Sequence, residues 1–488
     1  MSTNDTQLTM TRYETIAEFQ VRELDVLVVG GGIVGAGVAR DAALRGLRIG
    51  LVEQADFASG TSSRSSRLLH GGIRYLAQGR VALVREASKE KTVLGRIAPH
   101  LAQPLPFVFP TRRGTPWSFW KLSAGVKLYD LLCGLKNFGR SSSLSVAATT
   151  ALLPGLSTKQ LTGSVRYFDA LTNDARLVID TFRSAAASGA LLANHIRFVD
   201  ASRTNDGWLC QLHDQVTGKQ FQVCAKTLVN AAGPWSDRIP HAKTHLRLTK
   251  GVHLVIDRDR LPVPEAVVMT QGNRVLFAIP WGERVILGTT DTDYAGDLSN
   301  PPCDAVDIAE ILNVVNGTFP NAQLTASDVI STWSGLRPLV ADPHGNPSDI
   351  SRRHNITMSH PGWWDVTGGK LTTYRLMAEE TMDQVVGFLR CQAAPCQTAI
   401  LPLVEQREAT FMSGILPPPV SQESVATACH EEWALNLDDV MIRRTSWRYY
   451  HRNHLAIAEQ VADWMAVELK WSDGEKMAQL ERYLECCR

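Results

Sequence analysis

Between Glu23 and Glu53 the sequence leaves few folds open. An apolar run, Val26 to Val29, enters Gly30-Gly31-Gly32-Ile33-Val34-Gly35-Ala36-Gly37. A helix-forming segment, Val38 to Gly46, follows, and a second apolar strand from Leu47 to Val52 ends at Glu53. Gly30, Gly32 and Gly35 thus hold G-x-G-x-x-G spacing within a strand–turn–helix–strand unit, the arrangement that binds a dinucleotide. Gly30 permits the tight turn, Gly32 lets a pyrophosphate approach the backbone, and Gly35 lets the helix lie close to the strands. The free N–H groups and dipole at the helix start favour the anion. Glu53, roughly twenty residues on, is placed to accept hydrogen bonds from ribose hydroxyls, which favours FAD or NAD over NADP. The competing reading is a glycine-rich core turn in another α/β protein. The preceding strand, the following helix and the terminal acid favour the dinucleotide.

At 488 residues the chain is long enough for two or three domains. Lys plus Arg is 50 and Asp plus Glu is 49, a neutral balance that gives no sign of a nucleic-acid binder. The nine cysteines form no paired C-x-x-C set, so neither a metal site nor a disulfide scaffold is predicted. Residues 1–22 are polar, lack the apolar core of a signal peptide, and read as a flexible or loosely docked arm. No apolar stretch reaches the ~18–20 residues of a membrane-spanning helix.

After Glu53 a Ser- and Gly-rich stretch carries Thr61, Ser62, Ser63, His70, Gly71, Gly72, Arg74 and Tyr75. It reads as a loop wrapping the cofactor, because Leu68, Leu69, Ile73 and Leu76 thread through it as they would not in a solvated linker. Val81 to Ala98 is a predicted helix, and His100 to Pro110 is extended. Trp117 to Lys136 combines Trp, Leu and Val with flanking Arg112, Arg113 and Arg140. This suits a helix lying in a membrane interface, although composition alone favours a core helix with solvated lysines. A helix from Asn173 to Ala187 and short strands to Cys224 follow. An apolar strand from Lys226 then ends at Gly233, and hairpin-spaced strands from Leu246 to Thr292 predict an antiparallel sheet. The strand from Val329 leads to Arg337, and Gly368-Gly369-Lys370-Leu371-Thr372-Thr373 opens a helix, a second site for an anion or polarised oxygen. An irregular linker ends at Pro419, and helical pattern runs from Gln422 to Arg488.

These stretches together resemble the FAD-dependent, respiratory, quinone-linked glycerol-3-phosphate dehydrogenases. The resemblance rests on Gly30 to Gly37, Thr61 to Leu76, Asp174 to Leu177, Asn230 to Trp235, Ile286 to Asp291, Gly335 to Leu339 and Gly368 to Arg375. The His70-Gly71-Gly72-Ile73-Arg74-Tyr75 and Gly368-to-Tyr374 stretches are the most specific. Trp433 to Thr445 is similar to the family's helical cap, while the part from Pro395 to Gln422 looks shorter than the family's.

The resemblance implies an α/β fold with an FAD-binding Rossmann-like domain of the two-dinucleotide-fold, D-amino-acid-oxidase-like type. An antiparallel β substrate domain and a small C-terminal helical cap complete it. The segments are 23–90, 160–245 and 330–392 for FAD, 91–159 and 246–329 for substrate and membrane, 393–421 as linker and 422–488 as cap. The resemblance also implies oxidation of sn-glycerol 3-phosphate to dihydroxyacetone phosphate, with FAD accepting a hydride from C2 and electrons passing to quinone. Arg337, Arg352 and Arg74 with Tyr75 would form the phosphate clamp, since arginine's planar fork suits phosphate. His70 is favoured as the base, with Lys370 as electrostatic partner and alternative base. Gly369, Lys370, Leu371 and Thr372 would face the flavin beside Gly233, with Thr372 and Thr373 hydrogen-bonding its ring. Quinone reduction favours peripheral membrane contact through Trp117 to Lys136, on the cytoplasmic face of the cytoplasmic membrane, and the resemblance allows for a homodimer. The alternatives are an oxidase using O2, an amine or amino-acid oxidase of the same fold, and a flavin-binding protein without activity.

Overall fold

The structure is a computed structural model and describes residues 10–76, 79–134, 137–272, 274–340, 354–404 and 414–487. Its first sheet is built outward from Leu24–Val29, buried and apolar on both faces as the centre of a parallel sheet requires. Ile49–Val52 and Leu191–Ala193 extend it on one side, Gln220–Asn230 and Trp363–Gly368 on the other, all parallel. The carboxyl ends of these strands open into one crevice, where ligands bind in such sheets. Helices Ile33–Leu44, Asp174–Ala187 and Tyr374–Leu389 cover one face. The opposite face is covered by a three-stranded meander of Ile196–Arg203, Trp208–Asp214 and the first half of Gln220–Asn230. Gln220–Asn230 therefore serves twice: its first half pairs antiparallel with the meander and its second half parallel with Leu24–Val29.

The second sheet is almost wholly antiparallel. Its order is Thr292–Asp293, Leu246–Asp257, Arg284–Gly288, Arg274–Trp281, Ala266–Gln271, Gln103–Arg112, Leu161–Leu171 and Leu68–Leu69. Val329–Val340 pairs with Leu246–Asp257, placing Arg337 opposite Thr249. Three strands thus fall on the other side of the boundaries read from sequence. Leu68–Leu69, Leu161–Leu171 and Val329–Val340 lie in segments read as FAD-binding, yet all three pair in this sheet. An apolar strand carries no mark of which sheet it joins. Helix Ala305–Thr318 packs on one face of the second sheet, while Val81–Ile97 and Phe119–Leu132 pack near the other. Phe119–Leu132 turns Leu122, Val126 and Tyr129 inward at helical spacing and leaves Trp120, Leu128 and Leu131 exposed.

The described part of the N-terminal arm is not loose. Helix Arg12–Val21 is closed by a capping box between Thr11 and Glu14. Phe19 is fully buried against Gly50 and Leu24, and Arg12 pairs with Asp214 at 2.7 Å. Phe19, with Ile16 beside it, and the Arg12 ion pair dock the helix, too little apolar pattern to register against a polar background.

In the C-terminal region, helices Gln422–Glu431, His454–Leu469 and Asp473–Cys486 close over a core of Val425, Leu437, Val440, Trp447, Val461 and Met465. This cap is tied to the cofactor-binding segment by buried ion pairs. Asp56, three residues past Glu53, receives Arg444 through two bonds of 2.8 Å and Arg443 Nε at 2.5 Å. Arg176 reaches Glu432 at 2.7 Å.

Candidate active site

The crevice at the carboxyl ends of the parallel strands is a cleft of about 1110 Å³, part of it open to solvent. Gly30, Gly32, Glu53, Thr61, Ser62, Gly233, Gly369, Lys370 and Leu371 line it together, although they come from five separate stretches of sequence. Gly30 adopts φ +118°, and a Cβ there would lie 2.5 Å from the carbonyl oxygen of Ala231. Gly35 lies beneath the turn: a Cβ would stand 1.9 Å from the Gly30 carbonyl oxygen, so helix and strand meet only because the side chain is absent. Gly32 caps helix Ile33–Leu44 without a side-chain bond. The Ser62 hydroxyl accepts the Ile33 N–H at 3.0 Å, and the Thr61 hydroxyl donates to the Leu336 carbonyl at 2.6 Å. These two residues pin the loop to the helix start on one side and to the second sheet on the other. Ser63 is buried away from the cleft.

Glu53 accepts N–H bonds from Gly31 at 2.6 Å and Ala55 at 2.8 Å, one on each carboxylate oxygen. Burial raises its pKa, and the two backbone donors pull it back. Each oxygen keeps a lone pair for a further donor. Phe198, Trp235 and Pro338 are also in the lining. Phe198 was not singled out in the sequence, where it is one more residue of an alternating strand.

On the second-sheet side, the His70–Tyr75 turn and the Gly369–Thr372 turn are interlocked. The Thr372 hydroxyl accepts the His70 N–H at 3.1 Å and donates to the His70 carbonyl at 3.2 Å. Thr372, 1% exposed, commits its hydroxyl proton to the His70 carbonyl and so joins the two turns. The Thr373 hydroxyl likewise turns back, to the Lys370 carbonyl at 3.4 Å. The Lys370 ammonium stands 4.3 Å from the centre of the Tyr75 ring, a cation–π contact. His70 is half-buried, and Gly71 and Gly72 lie behind the cleft and outside its lining. Gly72 takes the left-handed φ of +80° that lets the chain turn into Ile73–Tyr75.

Arg337 stands between Leu336, whose carbonyl accepts from Thr61, and Pro338, which lines the cleft; Arg337 itself is not among the lining residues. Its guanidinium donates to Asp291 Oδ1 at 3.0 Å, the Thr290 carbonyl at 3.2 Å and the Thr289 hydroxyl at 3.2 Å. Arg352 and the side chain of Arg74 lie outside the described residues. A residue passed over in the sequence sits beside Arg337. His253 is 2% exposed, lies against Trp333 with ring centres 5.2 Å apart, and meets the Ser66 hydroxyl at 2.8 Å through Nε2. Burial first, then the charges of Arg337 and Arg67, push its pKa down to about 3, so the imidazole is neutral. In the sequence it is a single polar residue inside an apolar strand, the usual mark of a core histidine.

Known proteins agree with this geometry. Residues 25–383 match the family model described as FAD dependent oxidoreductase, and residues 410–476 match the C-terminal domain of alpha-glycerophosphate oxidase. The glycerol-3-phosphate dehydrogenase of Mycobacterium leprae is 36% identical over 93% of this chain and 86% of its own. The chain belongs to the FAD-dependent glycerol-3-phosphate dehydrogenase family. The alpha-glycerophosphate oxidase of Streptococcus pyogenes serotype M3 is 32% identical over 96% of this chain and 95% of its own. The FAD complex of the glycerol-3-phosphate dehydrogenase from Bacillus halodurans superposes with a TM-score of 0.80 at 28% identity, covering 98% of this chain and 97% of that one.

The family's cofactor is FAD, and the residues present fit it. The uncapped helix start at Gly32 offers N–H groups to a pyrophosphate, and Glu53 offers acceptors to a ribose. The Gly369–Leu371 turn closes the far end of the cleft. The cap agrees with the family's C-terminal domain. All nine cysteines are free.

Proposed function

We propose that the protein oxidises sn-glycerol 3-phosphate to dihydroxyacetone phosphate and passes the electrons to membrane quinone. The observation that carries this reading is the meeting of two cationic segments at one cleft. Lys370 and Pro338 both line it, which brings the Arg337 strand and the Gly369 turn together. FAD, when bound, supplies two-electron acceptance from C2. The chain supplies the rest. Arg337, with Arg74, Tyr75 and Arg352, holds the phosphate, which displaces Asp291 from the Arg337 guanidinium. His70 takes the proton from the C2 hydroxyl. Lys370, fixed over Tyr75, offsets negative charge that develops as the proton leaves.

We infer a peripheral position on the cytoplasmic face of the cytoplasmic membrane, with quinone as acceptor, and one exposed helix supports the membrane contact. Among the described residues no helix is long and apolar enough to cross a membrane. Helix Phe119–Leu132 exposes Trp120 at 80% and Leu131 at 62%, beside exposed Lys121 and Arg113. An amphipathic face of this kind lies in an interface. The relatives named as oxidases favour a second reading, in which O2 takes the electrons. Assays of purified holoenzyme with glycerol 3-phosphate decide between them. The proposal requires dihydroxyacetone phosphate formation that depends on a quinone analogue, with little peroxide. One peroxide per product in air, with no response to the analogue, establishes the oxidase.

A further inference from the structure

Behind the His70–Tyr75 turn lies a buried polar cluster outside the cofactor cleft. Lys91 is fully buried, and its Nζ donates to Asp169 Oδ1 at 2.7 Å, Asn137 Oδ1 at 2.9 Å and the Phe168 carbonyl at 3.0 Å. Tyr129 Oη lies 3.2 Å from the same nitrogen. The Tyr129 hydroxyl donates to Asp169 and accepts the Gly71 N–H at 2.9 Å, the shorter branch of a forked bond whose other acceptor is Asp169 Oδ1 at 3.3 Å. One phenolic oxygen therefore joins a lysine, an aspartate and a backbone amide, its single proton committed to the carboxylate. Burial and then the Asp169 charge raise the phenol's pKa well above its ordinary value, which keeps that proton in place.

Gly71 is explained by this contact. A Cβ at Gly71 would lie 2.4 Å from Tyr129 Oη and 2.6 Å from Ser88 Oγ. Apolar side chains would pack helix Phe119–Leu132 against the turn without the desolvation cost of a buried Lys–Asp pair and a phenol. What the polar cluster adds is the fixed place of one N–H. The residues on either side of that N–H are those of the candidate site: His70 is bonded twice to Thr372, and Tyr75 carries Lys370 over its ring.

We propose that Tyr129 is a positioning residue: through the Gly71 N–H its hydroxyl seats the His70–Tyr75 turn against the Gly369–Thr372 turn and so sets where His70 and Lys370 stand. This inference rests on the roles given above to those two residues. Misplacement of a reacting group by about 1 Å costs up to roughly a hundredfold in rate.

The test compares Tyr129→Phe with wild type by two measurements. The first is amide hydrogen exchange on FAD-free protein. Exchange across residues 70–75 rises about tenfold or more in the variant, while strand Leu24–Val29 stays as protected as before. The second is the rate at which glycerol 3-phosphate bleaches the holoenzyme without air. That rate falls about tenfold or more at saturating substrate, with the half-saturating concentration within about threefold of wild type. Ser123→Ala, which removes a bond to Ser143 at 2.9 Å elsewhere on the same helix, leaves both measurements at wild-type values. Unchanged exchange at 70–75, or a uniform rise through the whole chain, overturns the proposal. Should Tyr129→Phe fail to fold, Asp169→Asn carries the same two measurements, and wild-type values in both overturn it. A wild-type enzyme that glycerol 3-phosphate does not bleach contradicts the substrate reading alone, because the exchange experiment uses no substrate.

Discussion

Arg337 enters the site already engaged. Its bonds to the Thr289–Asp291 turn aim the guanidinium, and half-exposed Asp291 is the partner that a phosphate would displace under the proposed function. Arg337→Ala raises KM for glycerol 3-phosphate roughly tenfold or more, as loss of a charge-assisted bond to an anion requires, with kcat within about threefold. His70→Ala has the opposite signature, a kcat lower by roughly a hundredfold or more with FAD retained. If both variants lower kcat alone, the division between phosphate clamp and base is wrong. His253 makes a separate statement about pH. Its pKa is about 3 in the fold against about 6.5 in an unfolded chain, so the unfolded state binds the extra proton between those values. The contribution of His253 is fully present above about pH 6.5 and is lost as pH falls toward 3. The His253 ring proton therefore keeps one NMR shift between pH 8 and pH 5; a midpoint inside that range contradicts a neutral buried imidazole. At this scale the sequence was legible where residue type alone fixes geometry, as at Gly30 and Gly35. It was not legible at Thr372, where a hydroxyl in a cofactor motif turns out to bond to a distant backbone, nor at His253, whose neighbours are far apart in sequence.

Elements show the same division. The glycine-turn helix, the hairpins and the cap helices follow from periodicity and caps. Helix Arg12–Val21 does not, because only Phe19 and Ile16 give it an apolar side and the Arg12 ion pair adds to them. The cap is held to the cofactor segment by charge. Asp56 and Arg444 are both buried, and Asp56→Ala leaves Arg444 with the Glu432 carbonyl and no direct carboxylate partner. Breaking such a pair costs about 3–5 kcal/mol. Denaturant unfolding of Asp56→Ala accordingly begins at lower concentration, with residues 422–487 losing exchange protection before the parallel sheet; an unchanged transition contradicts the docking role. Helix Phe119–Leu132 is apolar on both faces: it buries Leu122, Val126 and Tyr129, and it exposes Trp120, Leu128 and Leu131 beside Lys121 and Lys127. Burying an exposed Trp or Leu gains about 1.5–3 kcal/mol, so Trp120→Ser with Leu131→Ser weakens binding to anionic vesicles by roughly tenfold or more. Flotation reads this directly, and a wild type that stays at the bottom of the gradient removes the membrane contact.

For the whole molecule, the decisive arrangement is that neither sheet owns the site. The parallel sheet supplies Gly30, Glu53 and Gly233, and its last strand ends in the turn that carries Lys370. The antiparallel sheet supplies Arg337 and His253, and Thr61 bonds across to Leu336 to join the two. Fold class was readable from one glycine-rich unit and a run of hairpins. The assignment of Leu161–Leu171 and Val329–Val340 to the second sheet was not, since their partners lie tens of residues away and are set by packing. The same argument explains why the cofactor was easier to read than the substrate. The residues that fit FAD sit in short contiguous motifs, whereas the proposed phosphate clamp draws on Arg74, Arg337 and Arg352, far apart in sequence. The most direct test of the account is an anaerobic titration of the yellow holoenzyme, following flavin absorption. It predicts that sn-glycerol 3-phosphate bleaches the flavin with one equivalent of dihydroxyacetone phosphate formed, and that glycerol and glycine at the same concentration do not. Bleaching by glycine, or no bleaching by glycerol 3-phosphate, contradicts it.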